Sequence, residues 1–98
     1  MAKYDLTPKA TEDLYDIWSY TVDTWSEEQA GRYYGRLITS FQTIASQPDL
    51  NGKSYDSIRK GLRGLRVGRH IVFYVKPSSG KALIIRILHE RMDYKRHL

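Results

Sequence analysis

Three histidines and a large set of basic side chains are the residues of this sequence best suited to catalysis or binding. His70, His89 and His97 lack the close spacing, with a carboxylate nearby, that metal-binding motifs have. No Cys is present, which excludes disulfides, thiol catalysis and zinc-thiolate sites and is typical of a reducing compartment. We therefore expect neither a metal nor a cofactor.

A metal-free ribonuclease is the enzyme class that the polar residues still allow. Arginines can hold a scissile phosphate while His or Tyr transfers a proton. The catalytic residues of such an enzyme would be Arg63, Arg86, His89 and Tyr94. The simpler interpretation is that Arg63 and Arg66 form the solvent face of an alternating strand and that His89 caps a strand end. The residue pattern alone leaves a ribonuclease and a basic binding surface open.

The net charge of +5 is distributed unevenly along the chain. Residues 1–50 hold four Lys or Arg against eight Asp or Glu, whereas residues 51–98 hold twelve against three. A basic half of this kind attracts an acidic partner, either a polypeptide or a nucleic acid. The competing explanation is that these charges serve only to keep the protein soluble.

Length and composition limit the organisation of the chain. Its 98 residues, 41% hydrophobic and 28% charged, fit one domain that spans residues 1–98. No apolar run is long enough for a membrane span, and no charged-then-apolar leader follows Met1. These observations predict a single cytosolic domain without membrane association.

The first half of the chain predicts a short strand and two helices. Residues 3–6 alternate in polarity, and Thr7, which precedes a proline, is a typical helix N-cap. The apolar period of the first helix continues to about Trp25. Ser26 then begins a capping box, and Pro48 ends the second helix. Because the connection is so short, the helices must form an antiparallel hairpin.

In the second half the apolar period changes from that of a helix to that of a strand. Strands are predicted around residues 65–67, 70–75 and 82–88, with a turn at residues 77–80 between the last two. The last strand is apolar on both faces, so it must be central and covered on both sides, and the first strand can pair beside it. The predicted fold is α+β with the order β-α-α-β-β-β, a helical hairpin packed on a small antiparallel sheet.

Motifs in the helices, the strands and the tail form a set that extends along nearly the whole chain. They are Asp13-Leu14, Ile17, Tyr20-Thr21, Trp25, Gln29-Ala30, Gly61-Leu62-Arg63, Val67-Gly68-Arg69-His70-Ile71-Val72-Phe73-Tyr74 and Arg86-Ile87-Leu88-His89-Glu90-Arg91-Met92-Asp93. This set resembles the ParE branch of the RelE/ParE toxin superfamily. The last motif, a strand end followed by a basic tail, is its most specific part.

The resemblance implies a cytosolic toxin of a type II toxin-antitoxin pair. It implies a hetero-oligomer with a ParD-type antitoxin, and growth arrest through inhibition of DNA gyrase by protein-protein binding. Such a toxin is not an enzyme, and no direct specific binding of nucleic acid is expected. The alternative is a ribosome-dependent mRNA endonuclease of the RelE type, whose catalytic residues cannot be matched one by one to this sequence.

The polar tail, residues 89–98, follows the last strand and is too polar for the core. Basic residues interleaved with Met and Tyr are typical of protein interfaces. We expect this tail at the surface, so that removal of residues 93–98 would cost nearer about 1 than about 4 kcal/mol of stability. The alternative is a terminal turn that docks Met92 and Leu98 onto the domain. The predicted target-binding residues are Arg91, Met92, Tyr94, Lys95, Arg96 and Leu98.

The helical hairpin carries more apolar surface than one sheet can cover. The apolar arc spans about 140° of the second helix and about 220° of the first. We predict that an amphipathic antitoxin segment covers the hairpin and that acidic residues beyond it meet the basic strands. The predicted antitoxin-binding residues are Tyr15, Tyr20, Val22, Tyr34, Ile38, Arg63 and Arg66.

Overall fold

The structure, a computed structural model, describes residues 3–49, 51–77 and 80–98. Residues 78 and 79 of the predicted turn lie outside this described part. The predicted α+β order is confirmed, with two additional short elements, β2 and α3. In chain order the elements are β1 (Tyr4–Leu6), α1 (Pro8–Thr24), α2 (Glu27–Ser46), β2 (Lys53–Ser54), β3 (Arg63–Val67), β4 (His70–Val75), β5 (Ala82–His89) and α3 (Tyr94–His97).

Side-chain caps fix the start of both long helices. The Thr7 hydroxyl accepts a hydrogen bond from the Ala10 N–H at 3.0 Å, and the Ser26 hydroxyl accepts one from the Gln29 N–H at 3.0 Å. Each bond satisfies a backbone donor that has no partner within the helix. The two predicted helix starts are therefore confirmed, and the two-residue connection between α1 and α2 produces the hairpin.

The five strands form one mixed sheet in the order β1-β5-β4-β3-β2. Strands β2 to β5 pair antiparallel, whereas β1 pairs parallel with β5, from Tyr4 opposite Ala82 to Leu6 opposite Ile84. The predicted neighbour of β1 is correct, but the prediction of an antiparallel sheet is wrong for this pair. Side-chain alternation is the same in both directions, so a strand of three residues carries no sign of its orientation.

One face of the sheet packs against the hairpin, and we call it the helix face. Its core is formed by apolar side chains of both helices and of the three longest strands. Tyr74 belongs to this core, and its hydroxyl donates to the carbonyl of Pro48 at 2.7 Å. The fully buried core residues include Ala10, Leu37, Phe41, Ile44, Val72, Tyr74 and Ile84.

The opposite face, which we call the tail face, holds a second core. Leu62, Ile71, Phe73, Ile85 and Leu88 form this core. The loop side chains of Tyr55 and Ile58 and the tail side chains of Tyr94 and Leu98 pack over it. The ring of Phe73 lies with its centroid 5.1 Å from both Tyr55 and Tyr94. This packing confirms that β5 is covered on both faces.

The docked tail corrects the expectation that all of its residues lie at the surface. Tyr94 and Leu98 are partly buried against the tail-face core, because a two-sided apolar sheet needs cover that the hairpin cannot provide. Arg91, Met92, Lys95 and Arg96 stay exposed. The tail is therefore neither wholly at the surface nor docked through Met92.

An ion pair closes the edge of β5 beyond the end of β1. The Asp13 carboxylate accepts hydrogen bonds from Arg86 Nε at 2.8 Å, from Arg86 Nη2 at 2.9 Å and from the Ile87 N–H at 3.0 Å. Arg86 Nη1 also donates to the His97 carbonyl at 3.3 Å. The hydrogen bonds to Asp13 raise the pKa of Arg86. This pair connects α1, β5 and α3 at one point.

Removal of residues 93–98 will destabilise the domain more than the polar composition of the tail suggests. We expect a loss of about 3 kcal/mol, because the deletion uncovers Phe73 and leaves a gap where Tyr94 and Leu98 packed. Urea unfolding measures this loss. The double substitution Lys95→Ala and Arg96→Ala, at exposed positions, serves as the control and should change stability by less than about 0.5 kcal/mol. A deletion as mild as the control would contradict the docked tail.

Candidate functional site

A depression of the described surface lies where the turn of the hairpin overhangs the start of β4 and the end of β5. It has a volume of about 600 Å³, and we call it the hairpin-end cavity. His70 begins β4 and His89 ends β5, and the register pairs them directly. Their ring centroids are 5.4 Å apart at the floor of the cavity.

A partly buried tyrosine joins the hairpin to this floor. The Tyr33 hydroxyl lies 2.9 Å from the Val67 carbonyl and 2.7 Å from His70 Nδ1, and it accepts the Arg69 N–H at 3.2 Å. Gly68 makes this approach possible, since its φ is +57° and a Cβ there would lie 2.7 Å from the Tyr33 ring. The turn between β3 and β4 is thus shaped around the tyrosine.

Two groups at the floor of the hairpin-end cavity, His70 and Tyr33, are uncharged at neutral pH. Burial, assisted by the positive charge that His89 can carry, lowers the pKa of His70 from 6.5 to about 4. Burial also raises the pKa of Tyr33, so its hydroxyl stays protonated. Both groups therefore act as neutral hydrogen-bonding partners.

Four arginines surround these two neutral groups. Arg32 pairs with Glu28 at 2.7 Å, and Arg69 lies 3.7 Å from Glu90. The guanidinium of Arg36 stands 5.6 Å from the centroid of the Tyr33 ring, and Arg91 completes the rim. Within residues 3–49, 51–77 and 80–98, neither Arg36 nor Arg91 forms a salt bridge. The rim is basic and suits an anionic group.

The four residues of the ribonuclease alternative do not converge. Arg63 pairs with Tyr74 and His89 pairs with His70, so they lie four residues apart along β4, roughly 13 Å. The Arg63 guanidinium is bound to the carbonyls of Asn51, at 3.2 Å, and Gly52, at 3.1 Å.

The other two members of that set are also committed elsewhere. Arg86 is held by Asp13 at the edge of the sheet. Tyr94 packs on the tail face and donates to the Glu90 carbonyl at 2.9 Å. Arg63, Arg86 and Tyr94 are thus each held by a separate set of hydrogen bonds, so the four side chains do not form one site around a phosphate.

Arg63 and Arg66 lie on opposite faces of the sheet. They are three residues apart on one strand, and strand side chains alternate with a period of two. Arg63 is on the helix face beside Tyr74, whereas Arg66 is exposed on the other face and pairs with Glu90. The prediction that they share a solvent face was wrong, and the strand period itself was the signal that could have corrected it.

Aromatic side chains cover the outside of the hairpin. The exposed fractions are 69% for Tyr15, 67% for Tyr20 and 41% for Tyr34. Trp25 is also 67% exposed, although the sequence placed it in the apolar stripe of the helix and not at a binding surface. We call these four residues the hairpin aromatic surface. Of the other two predicted contacts, Val22 is partly buried, and Ile38 packs against the helix-face core because it faces the sheet.

No helix in the described part of the chain is long and apolar enough to cross a membrane. No group of three or more His, Asp or Glu side chains there is arranged to hold a metal ion.

This fold defines a small α+β protein whose main accessible features are an aromatic surface, a basic cavity and a basic tail. Residues 4–94 match the family model described as "ParE toxin of type II toxin-antitoxin system, parDE". The chain belongs to the ParE toxin family. Toxin ParE1 of Mycobacterium tuberculosis is 37% identical over 97 residues, which cover 99% of this chain and 98% of the relative.

Other relatives support the same membership. Toxin ParE1 of Caulobacter vibrioides is 37% identical over 98 residues, 100% of this chain and 99% of the relative. Toxin ParE of Escherichia coli is 34% identical over 93 residues, 95% and 89% of the two chains. A structure titled "Chromosomal ParDE TA system from P. aeruginosa" aligns with a TM-score of 0.76 at 21% identity, over 91% of this chain and 96% of that chain, which supports the fold.

The low pKa of His70 predicts a loss of stability in mild acid. In the unfolded chain this imidazole binds a proton near pH 6.5, but in the folded chain only near pH 4. Its contribution is therefore complete above pH 6.5 and is lost as the pH falls towards 4. Urea unfolding of the wild type and of His70→Gln, measured across this range, should give a flatter profile for the variant. Parallel profiles would show that His70 is not held neutral.

Proposed function

We propose that this toxin acts in the cytosol by binding DNA gyrase and inhibiting it, and that a ParD-type antitoxin neutralises it. One observation carries the proposal: three of the four candidate catalytic side chains, those of Arg63, Arg86 and Tyr94, are engaged in separate structural contacts, while the basic and aromatic surfaces remain accessible. This arrangement favours a protein that works by binding over a RelE-type ribonuclease. The names of the relatives support the toxin-antitoxin context.

The exposed part of the tail is the proposed target-binding surface. Arg91, Met92, Lys95 and Arg96 project from a segment that Tyr94 anchors to the tail-face core. An anchored segment loses little conformational entropy when a partner binds. Arginine and methionine provide charge and adaptable apolar contact at such interfaces.

The hairpin aromatic surface is the proposed antitoxin-binding surface. Tyr15 and Tyr20 expose more than half of their area on α1, and Tyr34 extends the surface onto α2 through its edge contact with Trp18 at 5.9 Å. An amphipathic partner segment laid over α1 and α2 would bury Tyr15 and Tyr34, and its continuation around α1, where Tyr20 lies about 140° from Tyr15, would reach the hairpin-end cavity. Tyrosine is well suited to this role, because its ring is large and has few rotatable bonds.

Two assays separate the proposed function from its alternative. Purified toxin should increase cleaved DNA in a gyrase reaction that contains ATP, and it should leave mRNA intact on translating ribosomes. The double substitution Lys95→Glu and Arg96→Glu should abolish the gyrase effect, since it reverses two charges of the proposed target-binding surface.

The matched control reverses two charges outside this surface, with Arg59→Glu and Lys60→Glu in an exposed loop. It should retain the gyrase effect. Ribosome-dependent cleavage of mRNA without gyrase inhibition would reverse the assignment in favour of the RelE-type reaction. Equal loss of gyrase inhibition in both charge variants would exclude the tail as the specific surface.

The hairpin aromatic surface predicts a separate binding defect. Tyr15→Ser combined with Tyr20→Ser should weaken antitoxin binding by at least about tenfold, because truncation of interface tyrosines commonly costs more than about 1 kcal/mol. The thermal midpoint should change little, since both side chains are exposed. Isothermal titration calorimetry measures the affinity, and Gln42→Ser on exposed α2 surface is the control. Unchanged affinity would place the antitoxin elsewhere.

A further inference from the structure

We infer that the hairpin-end cavity binds the carboxylates of an acidic segment of the antitoxin. This inference rests on the proposed antitoxin and adds to it a defined electrostatic contact. It replaces the predicted contact at Arg63 and Arg66, because Arg63 is bound to loop carbonyls and Arg66 is paired with Glu90 on the other face.

Positive charge is concentrated at this cavity, although the first half of the chain is acidic overall. Residues 1–50 contain only four basic residues, and two of them, Arg32 and Arg36, line the cavity from one side of α2. Arg69 and Arg91 face them from the end of the sheet. No Asp or Glu belongs to the described lining of the cavity. Arg32 and Arg69 have Glu28 and Glu90 as ion-pair partners, whereas Arg36 and Arg91 have none among the described residues, so this rim can take up negative charge from outside the chain.

The hydrogen-bonding groups of the cavity also favour an acceptor as ligand. His89 Nδ1 accepts the Arg91 N–H at 3.1 Å, which leaves Nε2 as the donor atom of this ring. Guanidinium groups only donate. A carboxylate, which only accepts when ionised, complements this donor set.

Position identifies a peptide as the occupant. Tyr20 and Trp25 line the cavity and also belong to the hairpin aromatic surface. A helix that covers this surface is therefore continuous with the cavity, and the segment beyond its end would enter among the arginines. The aromatic rings and the basic groups thus fit two consecutive parts of one partner.

A nucleic acid fits the same region less well. Asp23, Glu27 and Glu28 are exposed at the hairpin turn, next to the cavity. A nucleic acid strand carries one negative charge about every 3.4 Å, so its flanking phosphates would meet these carboxylates. A short acidic peptide segment places its charge only inside the arginine rim.

The experiment compares two variants that lose the same charge. Arg32→Gln with Arg36→Gln removes two rim charges, and Arg59→Gln with Lys60→Gln removes two charges from an exposed loop. The probe is the ParD-type antitoxin paired with this toxin, titrated by calorimetry at several salt concentrations. We expect the rim variant to bind about tenfold more weakly, with a shallower salt dependence, and the loop variant to bind like the wild type.

The possible failures are distinguishable. If the wild-type toxin does not bind the antitoxin, the proposed function fails together with this inference. If both variants bind like the wild type, or lose affinity equally, the inference fails and the proposed antitoxin stands. A twelve-nucleotide oligothymidylate should not displace the antitoxin. If it competes with the antitoxin and the rim substitutions abolish its binding, the cavity is a nucleic acid site and the inference is overturned.

Discussion

The ion pair between Asp13 and Arg86 is the contact on which the arrangement of the layers depends. It joins residues 73 positions apart and places α1 against the edge of β5 that β1 leaves open. Both side chains are largely buried, with 12% and 18% of their area exposed, so loss of one partner would leave an uncompensated charge. The contact of Arg86 with the His97 carbonyl extends the same connection to the tail.

This connection makes the tail part of the folded domain. The sheet is apolar on both faces, the hairpin covers one of them, and Tyr94 and Leu98 complete the cover of the other. The exposed residues of the tail therefore project from a segment that is packed against the domain. The hairpin aromatic surface and the exposed basic residues of the tail consequently lie on different layers, and Arg91 stands where the cavity meets the beginning of the tail.

The candidate site was predictable only where it depended on local pattern. The exposed aromatic residues of α1 follow from an apolar arc too wide for one sheet, and Tyr15 and Tyr20 are exposed as expected. The hairpin-end cavity could not be predicted, because it requires the register that pairs His70 with His89 and the reach of Tyr33 across the turn. Which arginines remain available likewise depends on distant carbonyls and carboxylates.

The sequence by itself determined the elements of the fold that local interactions control. Thr7 and Ser26 set the starts of the helices through bonds to backbone groups three residues away, and runs of apolar, β-branched and aromatic residues defined the central strands. Only the tertiary structure decided the direction of β1, the docking of the tail and the partners to which the arginines are bound. The physical reason is the distance along the chain over which each interaction acts. Helix caps and apolar periodicity act within one turn or one strand, whereas packing and ion pairing join residues that are far apart in the sequence.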